Sequence, residues 1–196
     1  MIGLILAVLL GILIGLVRGG SFKTLADADL HAVPVVFLGV LLQVGSTAAE
    51  HGGPHWLPLT LVLLSFACVA GFAALNFNLP GMTLVAAGAL CNLLVISTND
   101  GMPVSGSAIA KAGLDNPFTG PGAGDAKGAH HLLKPGTHLR FLADVIPITV
   151  TANVVSVGDI LIWAGLLLLV EELMVGPKGK RRKRSPEKVS ARSAEQ

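Results

Sequence analysis

The chain is poor in charge. Asp, Glu, Lys and Arg make up 13% of its 196 residues, against about a quarter in soluble proteins, so a water-soluble domain of this length would have too little polar surface to cover itself. Cysteine is scarce as well. Cys68 and Cys91 both lie inside apolar runs, where a thiol behaves as a small hydrophobe, and their spacing points to neither a disulfide nor a metal site. The signatures of familiar chemistry are missing: there is no GxSxG, HExxH, Walker glycine loop or CxxC. The Gly-rich stretch 120–124 is not followed by the helix and lysine that would cradle a phosphate. A basic C-terminal tail invites a nucleic-acid reading, but it holds no aromatic residue on which a base could stack and it abuts an apolar run.

What fills the chain instead is apolar. Hydrophobic residues make up 52% and mean hydropathy is +0.71, so the lipid bilayer is the natural solvent. The formal charge of +2 hides an asymmetry, because eight of the fourteen Lys and Arg residues fall between Lys178 and Arg192. The basic character belongs to the tail and not to the fold.

Five apolar runs predict an all-α, polytopic integral membrane protein. They cover residues 2–17, about 32–47, 57–75, about 82–97 and about 156–175, each about 16 to 20 residues, enough to cross the hydrocarbon at about 1.5 Å per residue. The first run has neither a basic leader nor a small-residue cleavage site, so it reads as a retained span. Gly11 and Gly15 in it are spaced as GxxxG, either a surface for a neighbouring helix or the small residues common in any membrane helix. Pro34 falls in the first turn of the second span, where proline is tolerated. The short 76–81 turn makes spans three and four an antiparallel hairpin. His51 and His55 lie among glycines without further ligands and read as loop residues.

Orientation follows from Lys and Arg near the span ends. Arg18 and Lys23 follow the first span and Lys178 to Arg184 follow the fifth. Five spans place both on one side, which predicts a multi-pass protein of the cell membrane with an outside N-terminus and a cytoplasmic tail. Trp56 and Trp163 then both lie toward the outer interface. Residues 1–175 are the five-span membrane domain, with a polar outer segment at about 98–155, and 176–196 a disordered basic tail attracted to anionic lipid.

The outer segment carries nearly all the residues capable of chemistry. Ser105 to Leu114 has the spacing of a short helix. Thr137 is a good N-cap, and Leu139, Leu142, Ala143 and Ile146 recur at three- and four-residue steps, which predicts a short interfacial helix with Arg140 and Asp144 on its wetter side, ending at Pro147. Ser156-Val-Gly-Asp159 fits a capping box at the start of the last span. Three stretches stand out: Asn99-Asp-Gly-Met-Pro-Val104; His131-Leu-Leu-Lys-Pro-Gly-Thr-His-Leu with Phe-Leu-Ala-Asp-Val-Ile-Pro147; and Ser156-Val-Gly-Asp-Ile160. Together they resemble an uncharacterised bacterial family of multi-span membrane proteins, a domain of unknown function. The resemblance covers residues 1 to about 175 and implies the architecture without a mechanism.

Two readings of function compete. In the first, the protein is a non-enzymatic membrane component, a helper subunit or small carrier. Gln43, Asn92, Asn99, Asp100 and Ser156 then serve a polar pocket, or the amides join neighbouring helices. In the second, it is an enzyme acting on a lipid-linked or envelope substrate, with His131, Asp144 and Asp159 as acid, base or cation ligands. Each has a plain alternative: Asp159 as a helix cap, Asp144 paired with Arg140, and adjacent His130 and His131 lacking the spacing of a helical metal pair. The first reading is preferred because no catalytic set is complete. No metal site and no nucleic acid is expected, and the cofactor is unknown. Partners are membrane lipids, a second copy, or another membrane protein.

Overall fold

The structure, a computed structural model, describes residues 2–50, 54, 56–119 and 126–176. The basic tail, the 120–125 stretch, His51 and His55 lie outside the described residues. The chain is mostly helical. In order come α1 (Ile2–Val17), α2 (Phe22–Ala26), α3 (Val33–Ala49), α4 (Trp56–Leu75) and α5 (Met82–Thr98), then β1 (Met102–Val104), α6 (Gly106–Lys111), β2 (Ala126–Lys127), β3 (His130–Leu132), β4 (Ile146–Ile148), β5 (Asn153–Val155) and α7 (Val157–Val175).

Each long helix occupies one of the apolar runs, and its ends have local causes. At the end of α1, Gly19 adopts φ 79° and the amide of Gly20 reaches back to Gly15 O at 2.8 Å, satisfying a carbonyl the helix would leave free. The turn between α4 and α5 is closed by buried Asn76. Its amide donates to Phe72 O and His31 O, and its Oδ1 accepts from His31 N at 2.8 Å. One side chain thus ties the α2–α3 connection to the α4–α5 hairpin. Ser156 and Asp159 form the capping box that starts α7.

The packing order is α3, α4, α5, α7, α1, each helix against the next. The tightest joint is between antiparallel α5 and α7. A Cβ on Gly165 would stand 2.6 Å from Gly81 O, and one on Gly88 or Gly158 would overlap the backbone or Asn92 of the opposite helix. Gly81 therefore faces Gly165, and Gly88, seven residues on, faces Gly158, seven residues back, as an antiparallel pair requires. On the other side of α7, Gly11 meets Leu167 and Val170 and Gly15 meets Met174. The GxxxG of α1 is used within the chain, against a parallel α7, and is no surface for a second copy.

The outward faces of the five long helices are apolar. Leu9 and Leu13 on α1, Phe37 and Leu41 on α3, Leu64 on α4, Leu90 and Leu94 on α5 and Leu168 on α7 are all exposed. Among the described residues α4 alone is long and apolar enough, by length and composition, to cross a membrane. Helices α1, α3 and α5 have 16 or 17 residues, about 24–26 Å at the α-helical rise against a hydrocarbon core of about 30 Å. Helix α7 has 19 residues but carries Asp159, Glu171 and Glu172. The expectation that every apolar run is long enough to cross unaided is thereby corrected. Where α1 and α7 end, Arg18 pairs with Glu171 and, at 3.1 Å, with Glu172.

The described residues of 99–155 form a cap with strands not expected from the sequence. Strand β1 runs parallel to β3, with Met102 opposite His130, and β2 pairs antiparallel with β3. Strands β4 and β5 form a second ladder. The expected helix at 105–114 is present as α6, with Ser105 as N-cap accepting from Ala108 N at 3.3 Å. The expected interfacial helix from Thr137 is absent. Leu139 takes φ 52° ahead of a single 3-10 turn, and Ala143 is extended. Thr137 instead closes a turn by accepting from Lys134 N at 2.9 Å. Pro147 lies inside β4 and biases its predecessor toward extended backbone, while Leu142 is buried against the α4–α5 core. The apolar spacing there marks inward-facing residues of an irregular strap, not the face of a helix.

Gly165→Ala should lower the melting temperature of the detergent-solubilised protein by the equivalent of about 1–3 kcal/mol, the usual cost of overpacking. Gly71→Ala, with open space around its Cβ position, should leave it unchanged or raise it. Equal melting temperatures for Gly165→Ala and the parent would refute the α5–α7 backbone contact.

Candidate functional site

Beneath the cap, where α3, α4, α5 and α7 converge, lies a partly enclosed cavity of about 200 Å³. Gln43 enters it from α3, Asn92 from α5, and Asp159 with Trp163 from α7. The cap contributes His130, Asp144 and Asn153, and Val62 and Phe66 of α4 supply apolar wall. Polar side chains from three helices and from the cap thus face one space.

Asn92 is fully buried and spends both ends of its amide on α7. Its Nδ2 donates to Asp159 Oδ1 at 2.9 Å, and its Oδ1 accepts from Ser156 Oγ at 2.9 Å. Asp159 accepts a second bond, from Ser156 N on Oδ2 at 3.1 Å. Both its carboxylate oxygens are therefore engaged. Ser156, fully buried, donates to Asn92 and accepts from Asp159 N at 3.0 Å. Asn92, Ser156 and Asp159 form one mutually bonded knot at the cavity floor.

Asp144 differs. Its backbone is held by β1, with Asp144 N donating to Pro103 O at 3.0 Å and Ser105 N donating to Asp144 O at 2.9 Å. The residue is only 8% exposed, and its buried Oδ1 has no hydrogen-bond partner among the described atoms. The expected exposed pairing with Arg140 gives way to an unpartnered acid facing a cavity. Burial, reinforced by the charge of Asp159 and only partly opposed by His130, pushes its pKa up to about 8. Near neutral pH, Asp144 therefore holds its proton.

His130 stands with Glu50, Nδ1 3.8 Å from Oε1. Burial lowers the pKa of this half-buried imidazole, but Glu50, Asp144 and Asp159 more than compensate and the net shift is upward. Glu50 is correspondingly held below the usual carboxylate range, chiefly by His130. Glu50 itself sits under the tight turn joining β2 to β3, where a Cβ on Gly128, at φ 60°, would overlap its carboxyl.

The candidate catalytic set does not come together. Asp144 and Asp159 line the cavity, but His131 does not: its Nε2 lies 3.0 Å from Asn99 O and its Nδ1 3.1 Å from Leu132 O. His130 takes its place because neighbouring residues on a strand point to opposite faces. Of the candidate binding residues, Gln43 and Asn92 line the cavity, and Ser156 lies just behind Asn92. Asn99 is a clasp on the cap, its Oδ1 accepting from His138 N at 2.8 Å and its Nδ2 donating to His138 O at 3.0 Å. Asp100 is an exposed turn residue at φ 54°. Glu50 and Asn153 were not singled out from the sequence, and Trp163 was placed only at the outer interface. A lone carboxylate closing an apolar helix was the available signal for Glu50, and the one-in-two alternation of a strand would have separated His130 from His131. The described lining holds no Ser, Thr, Cys or Lys, and no group of three or more metal-ligating side chains is arranged to hold an ion among the described residues. What the site can do is bind hydrogen-bond donors and exchange a proton at Asp144.

A family of unknown function, DUF5317, matches residues 27–171. The chain belongs to that family. The matched stretch contains every polar cavity residue named above. An uncharacterised protein of Thermotoga maritima is 34% identical over 112 residues, 55% of this chain and 61% of that relative, so the chain spans about three fifths of the relative it matches. No solved structure matches.

The buried acid makes stability depend on pH with a definite sign. Folded Asp144, at about 8, binds its proton more tightly than the unfolded residue at about 4. Its contribution is complete below about pH 4 and is lost as pH rises through about 8, and the raised value of His130 adds in the same direction over its own range. Asp144→Asn should flatten this slope, melting close to the parent at about pH 4 and above it at about pH 9. Parallel melting curves for the two proteins across that range would exclude a protonated Asp144.

Proposed function

We propose that this protein is a multi-pass membrane protein crossed by α1, α3, α4, α5 and α7, and that it acts as a non-enzymatic component, a helper subunit or small carrier, that holds a polar ligand beneath its outer cap. The observation that carries this reading is the pairing of apolar exterior with polar interior. Five helices turn Leu, Ile, Val and Phe outward, and four of them, α3, α4, α5 and α7, converge on one cavity lined by Gln43, Asn92, His130, Asp144, Asn153 and Asp159. In water such an exterior is a continuous aggregation surface; in lipid it is solvated, and the polar side chains belong inside. The shorter helices fit a bilayer that thins locally around them, at a cost of fractions of a kcal/mol per ångström.

Lys and Arg support the orientation. Arg18 and Lys23 lie at the same end as the start of the tail, opposite the cap, which favours a cytoplasmic tail and an outer cap. The tail's basic residues then meet anionic inner-leaflet lipid, each contributing about 1 kcal/mol near the surface. The enzyme reading is less favoured, since His131 is bonded away from the cavity and Asp159 is spent on the knot with Asn92 and Ser156.

In a background carrying Cys68→Ala and Cys91→Ala, Lys111→Cys should react with an impermeant maleimide in intact cells, and Ser185→Cys only after permeabilisation. The reverse pattern, or recovery of the protein without membranes, would overturn the topology. Native mass spectrometry should show a small-molecule adduct that the cavity-filling Val62→Trp variant loses. An adduct retained by that variant would place the ligand elsewhere.

A further inference from the structure

The cavity also indicates what kind of ligand it holds. Its lining asks for donors: Asp144 Oδ1 is buried and unpartnered, whereas Asp159 and Asn92 have already bonded one another and Ser156. The groups facing Asp144 are Asp159 from α7 and His130 from β3, with Glu50 of the α3 end behind His130. His130 is the single side chain of the described lining that could carry a positive charge, and Glu50 already engages it. The remaining donors of the lining, the amides of Gln43 and Asn153 and the indole of Trp163, are neutral and stand beside two acids, which disfavours phospholipid headgroups and zwitterions. Trp163 and Phe66 bring aromatic surface to the same space, and ring faces attract cations. The volume of about 200 Å³ lies below the roughly 300–1,000 Å³ of sites for drug-sized molecules.

We propose that the cavity binds a small organic cation bearing N–H donors and no anionic group, an alkylammonium or a guanidinium, whose N–H donates to Asp144 Oδ1 while its charge rests between Asp159 and the face of Trp163. This rests on the ligand-holding role proposed above and names the ligand's class. Binding is an exchange: the cation enters as the Asp144 proton leaves to solvent, so no net charge is added to the buried site. With the Asp144 pKa at about 8, affinity falls about tenfold for each pH unit below that value. An alkylammonium, with a pKa near the ~10.4 of lysine, stays charged throughout.

The test uses the full chain in nanodiscs with Trp56→Phe, which leaves Trp163 as the sole indole reporter. Ethylammonium chloride is titrated at about pH 6 and about pH 9, on either side of the Asp144 value. Tetramethylammonium and sodium chloride at equal ionic strength serve as controls. Saturable quenching by ethylammonium is expected, stronger at the higher pH by on the order of a hundredfold, with tetramethylammonium much weaker because it has no N–H. Asp144→Asn should weaken ethylammonium binding on the order of ten- to a hundredfold and remove the pH dependence. Absence of saturable quenching at the higher pH, equal binding of tetramethylammonium, or equal affinity at both pH values would each overturn the proposal. The pH series needs no substitution at Asp144, so it decides even where that variant does not fold. A protein that passes the labelling test and yet ignores ethylammonium sinks the ligand assignment alone.

Discussion

The backbone contact between α5 and α7 is the constraint on which the site depends. Gly81 against Gly165 and Gly88 against Gly158 leave no room for a Cβ at either crossing. Only at that separation does Asn92 reach across to Ser156 and Asp159 together. A hydrogen bond of this kind contributes only about 0.5–1.5 kcal/mol net, so these bonds are weak as stabilisers and strong as registers. They decide where α7 begins, and the start of α7 decides where β5, and through its ladder β4, must run. The cavity is the space between that fixed helix start and the cap laid over it.

Two carboxylates sit at this place with opposite environments. Asp159 accepts from Asn92 and from Ser156 N, so both its oxygens are spent within the protein. Asp144 is covered by the cap, partnerless at Oδ1 and beside the charge of Asp159, so it favours its proton. The second acid responds to what enters the cavity because the first is already committed. Glu50 and His130 complete the arrangement from the cap side, each shifting the other toward its charged form.

The sequence was legible where one period governs. All five apolar runs became helices within a residue or two of the expected bounds, because unbroken Leu, Val and Ala runs punctuated by Gly, Pro and Asn leave little choice. The capping box was legible for the same reason, being a local pattern. The cap was not. Its strands have two or three residues each, too few for alternation to register. Its pairing of β1 with β3 joins residues about thirty apart across a Gly- and Pro-rich stretch. That blindness led to His131 instead of His130, an error of one residue that on a strand is an error of face. It also made Asp144 the wet side of a helix that Leu139 and Ala143 do not allow. The glycines of α5 and α7 carried a readable signal, the same seven-residue spacing in two apolar runs, which GxxxG in α1 overshadowed.

An open loop would not serve in place of this cap. Exposed to water, Asp144 would titrate as an ordinary carboxylate and accept its hydrogen bonds from solvent; its burial follows from the bonds that β1 makes to its own backbone on both sides. Those bonds hold Asp144 only while β1 is itself held, by β3 along one edge and by the Asn99 clasp on His138 nearby. The imidazole of His131, lying against Asn99 O, braces the same junction from β3. Residues that look like dispersed candidates for chemistry thus divide by role: Asn99 and His131 build the cap, Asn92, Ser156 and Asp159 seat the helix beneath it, and both groups leave Asp144 as the acid that is buried and, among the described residues, still has a bond to accept.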